Sequence, residues 1–455
     1  MRRIRTISLW LAVATALPVA ARGQTVPPLQ HEKYTLPNGL QVMLHQDRSV
    51  PLVTVNTWYL VGSGDELPGR TGFAHLFEHI MFMGSQNVPV GMFDVWLESA
   101  GANNNGTTSE DRTMYYEEVP SNALPLALWL DADRMGWLLP TMDQQKLDVQ
   151  RDVVKNERRQ GVDNRPYGRA YETIVATLFP PDHPHSWDVI GSMTDLSAAS
   201  LDDVRNFFRK YYAPSNASLV IAGDFETSEV KAWIEKYFGP IPRGPSFERR
   251  TTVPPPRIQR DTFIVLEDRV QLPRVYYTWQ SPSAYAPGDA ELDLLAMILA
   301  GGKSSRLYRR LVYDLQIAQD VSAFQASKKL DSVFQLVFTP RPGQQPADLA
   351  RIVDEEIDRV SREPVSDEEL QSAKNRYLAG FLDRIATVNG KAEQLNHYNY
   401  FLGTPDGVQQ DADRYARATA ADLQRVARAQ FAKPKVVLTV VPQGQTGLMV
   451  KGGER

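Results

Sequence analysis

LDDVRNFFRKYYAPSNASLVIA, residues 201–222, lines up without gaps against AADLQRVARAQFAKPKVVLTVV, residues 420–441. Both read as an acid-started helix, an aromatic residue, a proline and then a β-strand, with the prolines displaced by one position. The two stretches stand at one constant offset, close to half the length of the 455-residue chain. Self-similarity at one long interval points to tandem duplication, here of an α+β unit. The expected fold is therefore α+β: two duplicated α/β-sandwich halves, each a mixed sheet packed by helices, together forming a clamshell.

Working outward, YTLPNGLQVMLHQ carries a Pro-Asn-Gly turn between β-type runs, and PLVTVNTWYL (51–60) alternates as a strand should. Helical periods then dominate to about Phe208. Residues 239–260 hold six prolines, which neither continue helices nor donate in central strands, so this stretch reads as a strap. Beyond it FIVLED and RVYYTW read as strands, 289–300 as an apolar helix, and 348–430 as a mostly helical run before the closing strand VVLTVV. The expected units are an N-terminal domain at 24–240, a linker at 241–259, a homologous C-terminal domain at 260–447 and a tail at 448–455.

The residues before 24 read as an address. MRRIR is followed by an apolar run over positions 7–20, and by small residues at Ala20, Ala21 and Gly23. That run is short for about 30 Å of hydrocarbon but suits a signal-peptide core, so a periplasmic or secreted mature protein is expected. Hydrophobic residues at 42% and charged residues at 23% exclude a disordered chain. A net charge of −4 offers no electrostatic footprint for nucleic acid. With no cysteine, thiol catalysis and disulfide scaffolds are excluded, and any metal site must use the seven histidines and the carboxylates.

GFAHLFEHIMFMG, residues 72–84, is the sharpest chemical feature. Its polar residues, His75, Glu78 and His79, stand at i, i+3 and i+4, on one face of a helix. A helix this apolar must be buried, and two imidazoles and a carboxylate buried without partners are costly. A metal ion is a natural partner, with two imidazoles one turn apart and the carboxylate beside it. H-x-x-E-H is the inverse of the H-E-x-x-H zinc signature. Zinc then needs a third protein ligand. The predicted helix 143–160 offers Glu157, continuing a stripe of Leu147, Val153 and Val154. Periodicity equally allows a solvated glutamate near a helix end.

With these features together, the chain resembles the family of pitrilysin, insulin-degrading enzyme and the mitochondrial processing peptidases, over essentially its whole mature length. The resemblance implies one zinc ion held by His75, His79 and Glu157, with Glu78 as catalytic base. It implies that Asn105, Gly106, Thr107 and Thr108 form an edge strand that pairs with an extended peptide, a mode in which main-chain bonds tolerate many side chains. Gln150 occupies the position of a supporting glutamate that many relatives use to orient a ligand. The implied activity is zinc-dependent endopeptidase hydrolysis of peptides or unfolded segments. A non-catalytic peptide-binding or scaffold subunit is the alternative.

One departure stands out. Single-chain relatives carry an arginine and a tyrosine seven residues apart in the second half. Anchoring SSRL (304–307) and VSA (321–323) without gaps puts Val312 and Gln319 in those places. Arg309, Arg310 and Tyr313 are nearby at other spacings and read as a helix exterior. The resemblance thus implies a zinc-bearing chain whose homologous partner supplies the missing pair.

Overall fold

The two aligned stretches fold alike in the computed structural model, which describes residues 26–452; the address segment, 1–23, lies outside them. Ser200 and Thr419 each accept a hydrogen bond from the backbone of Asp203 and Asp422, whose carboxylates return to the cap N–H. These reciprocal capping boxes satisfy otherwise orphaned donors. The helices Leu201–Tyr211 and Ala420–Phe431 then lead to strands Ala217–Gly223 and Val436–Pro442, whose starts and ends keep the offset of the sequence repeat.

In chain order the strands are β1 (Glu32–Thr35), β2 (Gln41–Gln46), β3 (Leu52–Tyr59), β4 (Asn103–Thr108), β5 (Thr113–Pro120) and β6 (Ala217–Gly223) in the first half. The second half has β7 (Thr262–Asp268), β8 (Arg274–Ser281), β9 (Ala318–Ala326), β10 (Ser332–Pro340) and β11 (Val436–Pro442). The first sheet runs β1-β2-β6-β3-β5-β4 and the second β7-β11-β8-β10-β9. Among the described residues only β2/β6 and β7/β11 pair in parallel. Removing β1 makes the two orders identical, so the chain is an α+β protein of two repeated mixed sheets.

β6 and β11 are buried along their whole length, as strands covered on both faces must be. One face of the first sheet, with Val53, Val55 and Tyr59, packs on its own helices. Its other face is covered by the helix Val388–Leu402 from the second half, with Ala392, Leu395 and Tyr398 against Met43, Val220 and Ala222. In return the helix Ala170–Leu178 of the first half packs Ile174, Val175 and Leu178 on Tyr276, Val333 and Leu438 of the second sheet. Each large apolar side chain so buried is worth about 1.5–3 kcal/mol, which binds the halves to each other. Asn396 donates to the carbonyl and side-chain oxygens of Asn56 at 3.1 and 2.8 Å and accepts from Ser218 at 2.6 Å, fixing the register of this contact.

Residues 243–259 form neither helix nor strand, and they are tied down. Arg249 donates to Leu60 O at 2.7 Å and to Asn216, and the N–H of Arg257 to Leu178 O at 2.9 Å. The expectation of helical periods up to Phe208 needs correction, because β4 and β5 interrupt it. TMYYEEVP alternates buried and half-buried residues along most of its length, the period of a strand. Among the described residues no helix is long and apolar enough to cross a membrane.

Candidate metal centre

Gly72 starts the motif helix in a left-handed conformation (φ 86°), and a Cβ there would meet Ile190 O at 2.7 Å. The helix Phe73–Ile80 buries Phe73, Ala74, Leu76, Phe77 and Ile80. Phe77 stacks on Phe207, 4.9 Å between centroids. That leaves His75, Glu78 and His79 half-buried on one face, as their spacing predicts. The helix start is held by Glu66, a buried carboxylate that accepts from Gly72 N–H (3.0 Å), Ala74 N–H (2.8 Å) and Trp187 Nε1 (3.1 Å). Burial raises the Glu66 pKa to about 8 against these hydrogen bonds, so the carboxyl serves the helix start by accepting from its first amides rather than as a full charge.

The Nε2 atoms of His75 and His79 lie 3.3 Å apart, and Glu157 Oε2 lies 3.6 and 3.2 Å from them. Three ligand atoms within 4.8 Å of one another suit a single cation. Burial, helped by His79, lowers the His75 pKa to about 4, and burial outweighs Glu157 in lowering that of His79. Both imidazoles are thus neutral near pH 7, the form that ligates. Burial raises the Glu78 pKa, opposed by the Thr108 hydroxyl and the Arg112 charge.

Glu157 reaches the histidines by a route other than the expected stripe. The helix Gln144–Arg158 buries Leu147, Val154 and Arg158, while Val153 is 37% exposed. The inward face is thus set by positions seven and eleven residues beyond Leu147. Arg158 is held there by Gly191 O at 2.8 Å and Glu172 at 2.7 Å. The Glu157 side chain is 42% exposed, at the surface rather than in the interior. The Gln150 amide donates to Met83 Sδ at 2.7 Å. Among the described residues no hydrogen bond joins it to His75, His79 or Glu157, and His75 Nδ1 is buried without a partner.

Asn105, Gly106, Thr107 and Thr108 all fall on β4, the edge of its sheet beside this helix. Ser109 N–H donates to Arg112 O at 2.9 Å and closes the β4–β5 hairpin. Antiparallel alternation from that pair turns the backbone groups of Asn104, Gly106 and Thr108 away from β5, towards the open edge. Thr108 Oγ1 donates to Glu78 Oε2 at 2.6 Å. A Cβ at Gly106 would stand 2.9 Å from Glu78 Cγ, so glycine lets the strand approach the base. The Asn105 side chain accepts from Gly106 N–H at 2.9 Å, and Arg112 donates to Thr107 O and Oγ1 at 2.9 and 2.7 Å.

In the second half Val312 lies on a π-helical turn, Tyr308–Asp314, and Gln319 is exposed on β9. Arg310 pairs with Glu355 at 2.6 Å, and Tyr313 is 74% exposed. Sequence reasoning passed over Glu66 and Arg112. An acid shortly before a helix whose N-terminal residue is glycine, and an arginine closing a hairpin after the edge strand, were the available signals.

Residues 41–180 match the profile of the family described as Insulinase (Peptidase family M16), and residues 198–377 that of the Peptidase M16 inactive domain. The chain is 28% identical over 442 residues to a protein of Helicobacter pylori named zinc protease PqqE, covering 94% of this chain and 96% of that one. It is similar to the crystal structure of a protease from Helicobacter pylori, with a TM-score of 0.83 and 26% identity, over 91% of this chain and 100% of the other. The fold also matches a structure titled peptidase M16 inactive domain from Pseudomonas fluorescens (TM-score 0.81, 18% identity, 91% and 98% covered).

Proposed function

The chain belongs to peptidase family M16, and from that premise we propose that it is a zinc metalloendopeptidase acting on extended peptides, with Glu78 as general base. The observation carrying this reading is the convergence of His75, His79 and Glu157 beside a base held against an open strand edge by Thr108. Three neutral or anionic donors with no cysteine fit zinc, with His75, His79 and Glu157 holding it. When bound, zinc lowers the pKa of water and polarises a carbonyl.

The chain's own groups supply the rest. The open edge of β4 binds an extended peptide through the outward backbone groups of Asn104, Gly106 and Thr108. The Thr108 hydroxyl occupies Oε2 of Glu78, which leaves Oε1 to take a proton from water and return it to the leaving amine. A raised pKa keeps that carboxylate basic enough for the task.

Val312 and Gln319 replace the arginine and tyrosine of single-chain relatives, so the proposed working form is a hetero-oligomer whose homologous partner supplies that pair. A second copy of this chain does not supply it. A non-catalytic scaffold is the second reading, favoured by the match of residues 198–377 to an inactive-domain family. That match begins at residue 198, beyond His75, Glu78, His79 and Glu157, and a scaffold has no use for a positioned base.

The test is cleavage of a quenched peptide by the zinc-loaded chain, alone and with its homologous partner, using Glu78→Gln as the blank. Removal of a general base lowers turnover about 10²–10⁴-fold with zinc retained. Activity of the chain alone overturns the two-chain form. No activity in either setting overturns the peptidase reading.

A further inference from the structure

The β4–β5 hairpin ends in a two-residue turn, Glu110–Asp111, that is clamped from both halves of the molecule. On the first-half side Ser63 N–H donates to Ser109 O at 3.0 Å and Gly64 N–H to Glu110 O at 2.9 Å. A Cβ at Gly62 would stand 2.3 Å from Ser109 O, so only glycine admits this contact. On the other side the turn between β9 and β10 delivers two lysines. Lys328 Nζ pairs with Glu110 Oε1 and donates to Tyr171 Oη at 2.6 Å, and that hydroxyl donates to Glu110 Oε1 at 3.0 Å. The backbone N–H of Lys329 donates to Asp111 Oδ2 at 3.1 Å.

Lys328 is only 7% exposed. A buried ion pair is a poor way to gain stability, because desolvating both charges offsets most of their attraction. It is a good way to fix geometry, since both charges must stay in contact. Burial works against the Glu110 charge, yet Lys328 outweighs it and holds the carboxyl pKa at about 2. The pair therefore stays ionised at neutral pH. Two residues before Glu110 stands Thr108, whose hydroxyl holds the base. Two residues after it stands Arg112, which ties down Thr107. Movement of the turn is movement of the strand edge and of Glu78.

Building on the peptidase reading, we propose that the second half positions the peptide-binding edge from behind, with Lys328 and Glu110 as positioning residues for β4 and Glu78. This gives a half without metal ligands a role in the site beyond packing.

The experiment compares zinc-loaded full-length chain with Lys328→Met, Glu110→Gln and the double variant. Removing one charge strands the other, so the double variant keeps the test open if either single variant fails to fold. Two readouts are independent of turnover: amide exchange at Asn105 and Thr107, whose backbone groups face β5, and affinity for a short proline-free fluorescent peptide in the Glu78→Gln background. The expected result is exchange at those two amides about tenfold faster, while β6 and β11 keep their protection, with zinc content unchanged. Peptide affinity falls, and kcat in the active assembly falls by about tenfold or more. Unchanged exchange on β4 and unchanged affinity in the folded double variant overturn the proposal. Faster exchange in a protein that never cleaves peptide supports the coupling and overturns the peptidase reading instead.

Discussion

The helix Phe73–Ile80 and its counterpart in the second half begin in the same way and then diverge. Gly72 (φ 86°) and Gly288 (φ 98°) both start a helix from the left-handed region, after the second long strand of each repeat. Superposing these glycines in sequence puts His75 on Glu291, Glu78 on Leu294 and His79 on Leu295. Superposing the caps Asp143 and Ser366 puts Glu157 on Gly380. Leu294 and Leu295 are fully buried, so the second helix has become core. Sheet order and caps survive in both repeats because packing and backbone hydrogen bonding demand them. The set His75, Glu78, His79 and Glu157 stands in one repeat alone, as expected of polar groups that are costly to bury unless a ligand uses them.

The largest expected effect comes from giving the first half the second half's residue. His79→Leu is expected to take zinc content from one ion per chain to none and to abolish hydrolysis, while the chain stays folded. Metal analysis of the purified variant checks this, and retained zinc would break the assignment. Next, Thr108→Val should lower kcat about tenfold or more with little change in KM, because a hydrogen bond to a charged group is worth about 1.5–3 kcal/mol. Thr108→Ser should restore it, and steady-state kinetics on the active assembly decides.

The junction between the halves should show an acid weakness. His185 is 1% exposed, and burial, then Lys328, lowers its pKa to about 3. A histidine depressed in the folded state stabilises fully above its unfolded pKa of about 6.5 and loses that contribution as pH falls towards 3. The urea midpoint should therefore drop between neutral and acid pH, with a shallower fall in His185→Phe. A parallel fall in both proteins would clear this residue. The smallest effect compares the capping boxes. Ser200→Ala and Thr419→Ala should each cost about 1 kcal/mol. Because each half covers the other's sheet, both should shift one common unfolding transition. Two transitions, each moved by one variant, would mean that the exchanged helices do not bind the halves into a cooperative unit.

Much of this was legible in the residues. The i, i+3, i+4 spacing of His75, Glu78 and His79 needs only helical geometry, and both copies of the repeated stretch coincide with an observed helix and strand. Glu157 was legible as a candidate, but for a mistaken reason. Its helix turns Val153 outward, because Arg158, paired with Glu172, takes the inward face. β5 lies inside a stretch whose helical periods mask it, whereas Pro342-Gly343 after β10 is a turn signal that the sequence does offer.

The sequence alone determined what is local: caps, a buried helix with one polar face, strand alternation, and a duplication that requires two similar sheets. Only the tertiary structure decided what depends on residues far apart. Helix Val388–Leu402 lies on the first sheet and helix Ala170–Leu178 on the second. Glu66 caps the helix Phe73–Ile80, Thr108 donates to Glu78, and Lys328 reaches Glu110 from the opposite half of the chain. Periodicity records which face of an element is apolar; which partner covers that face follows from how all the faces are buried at once.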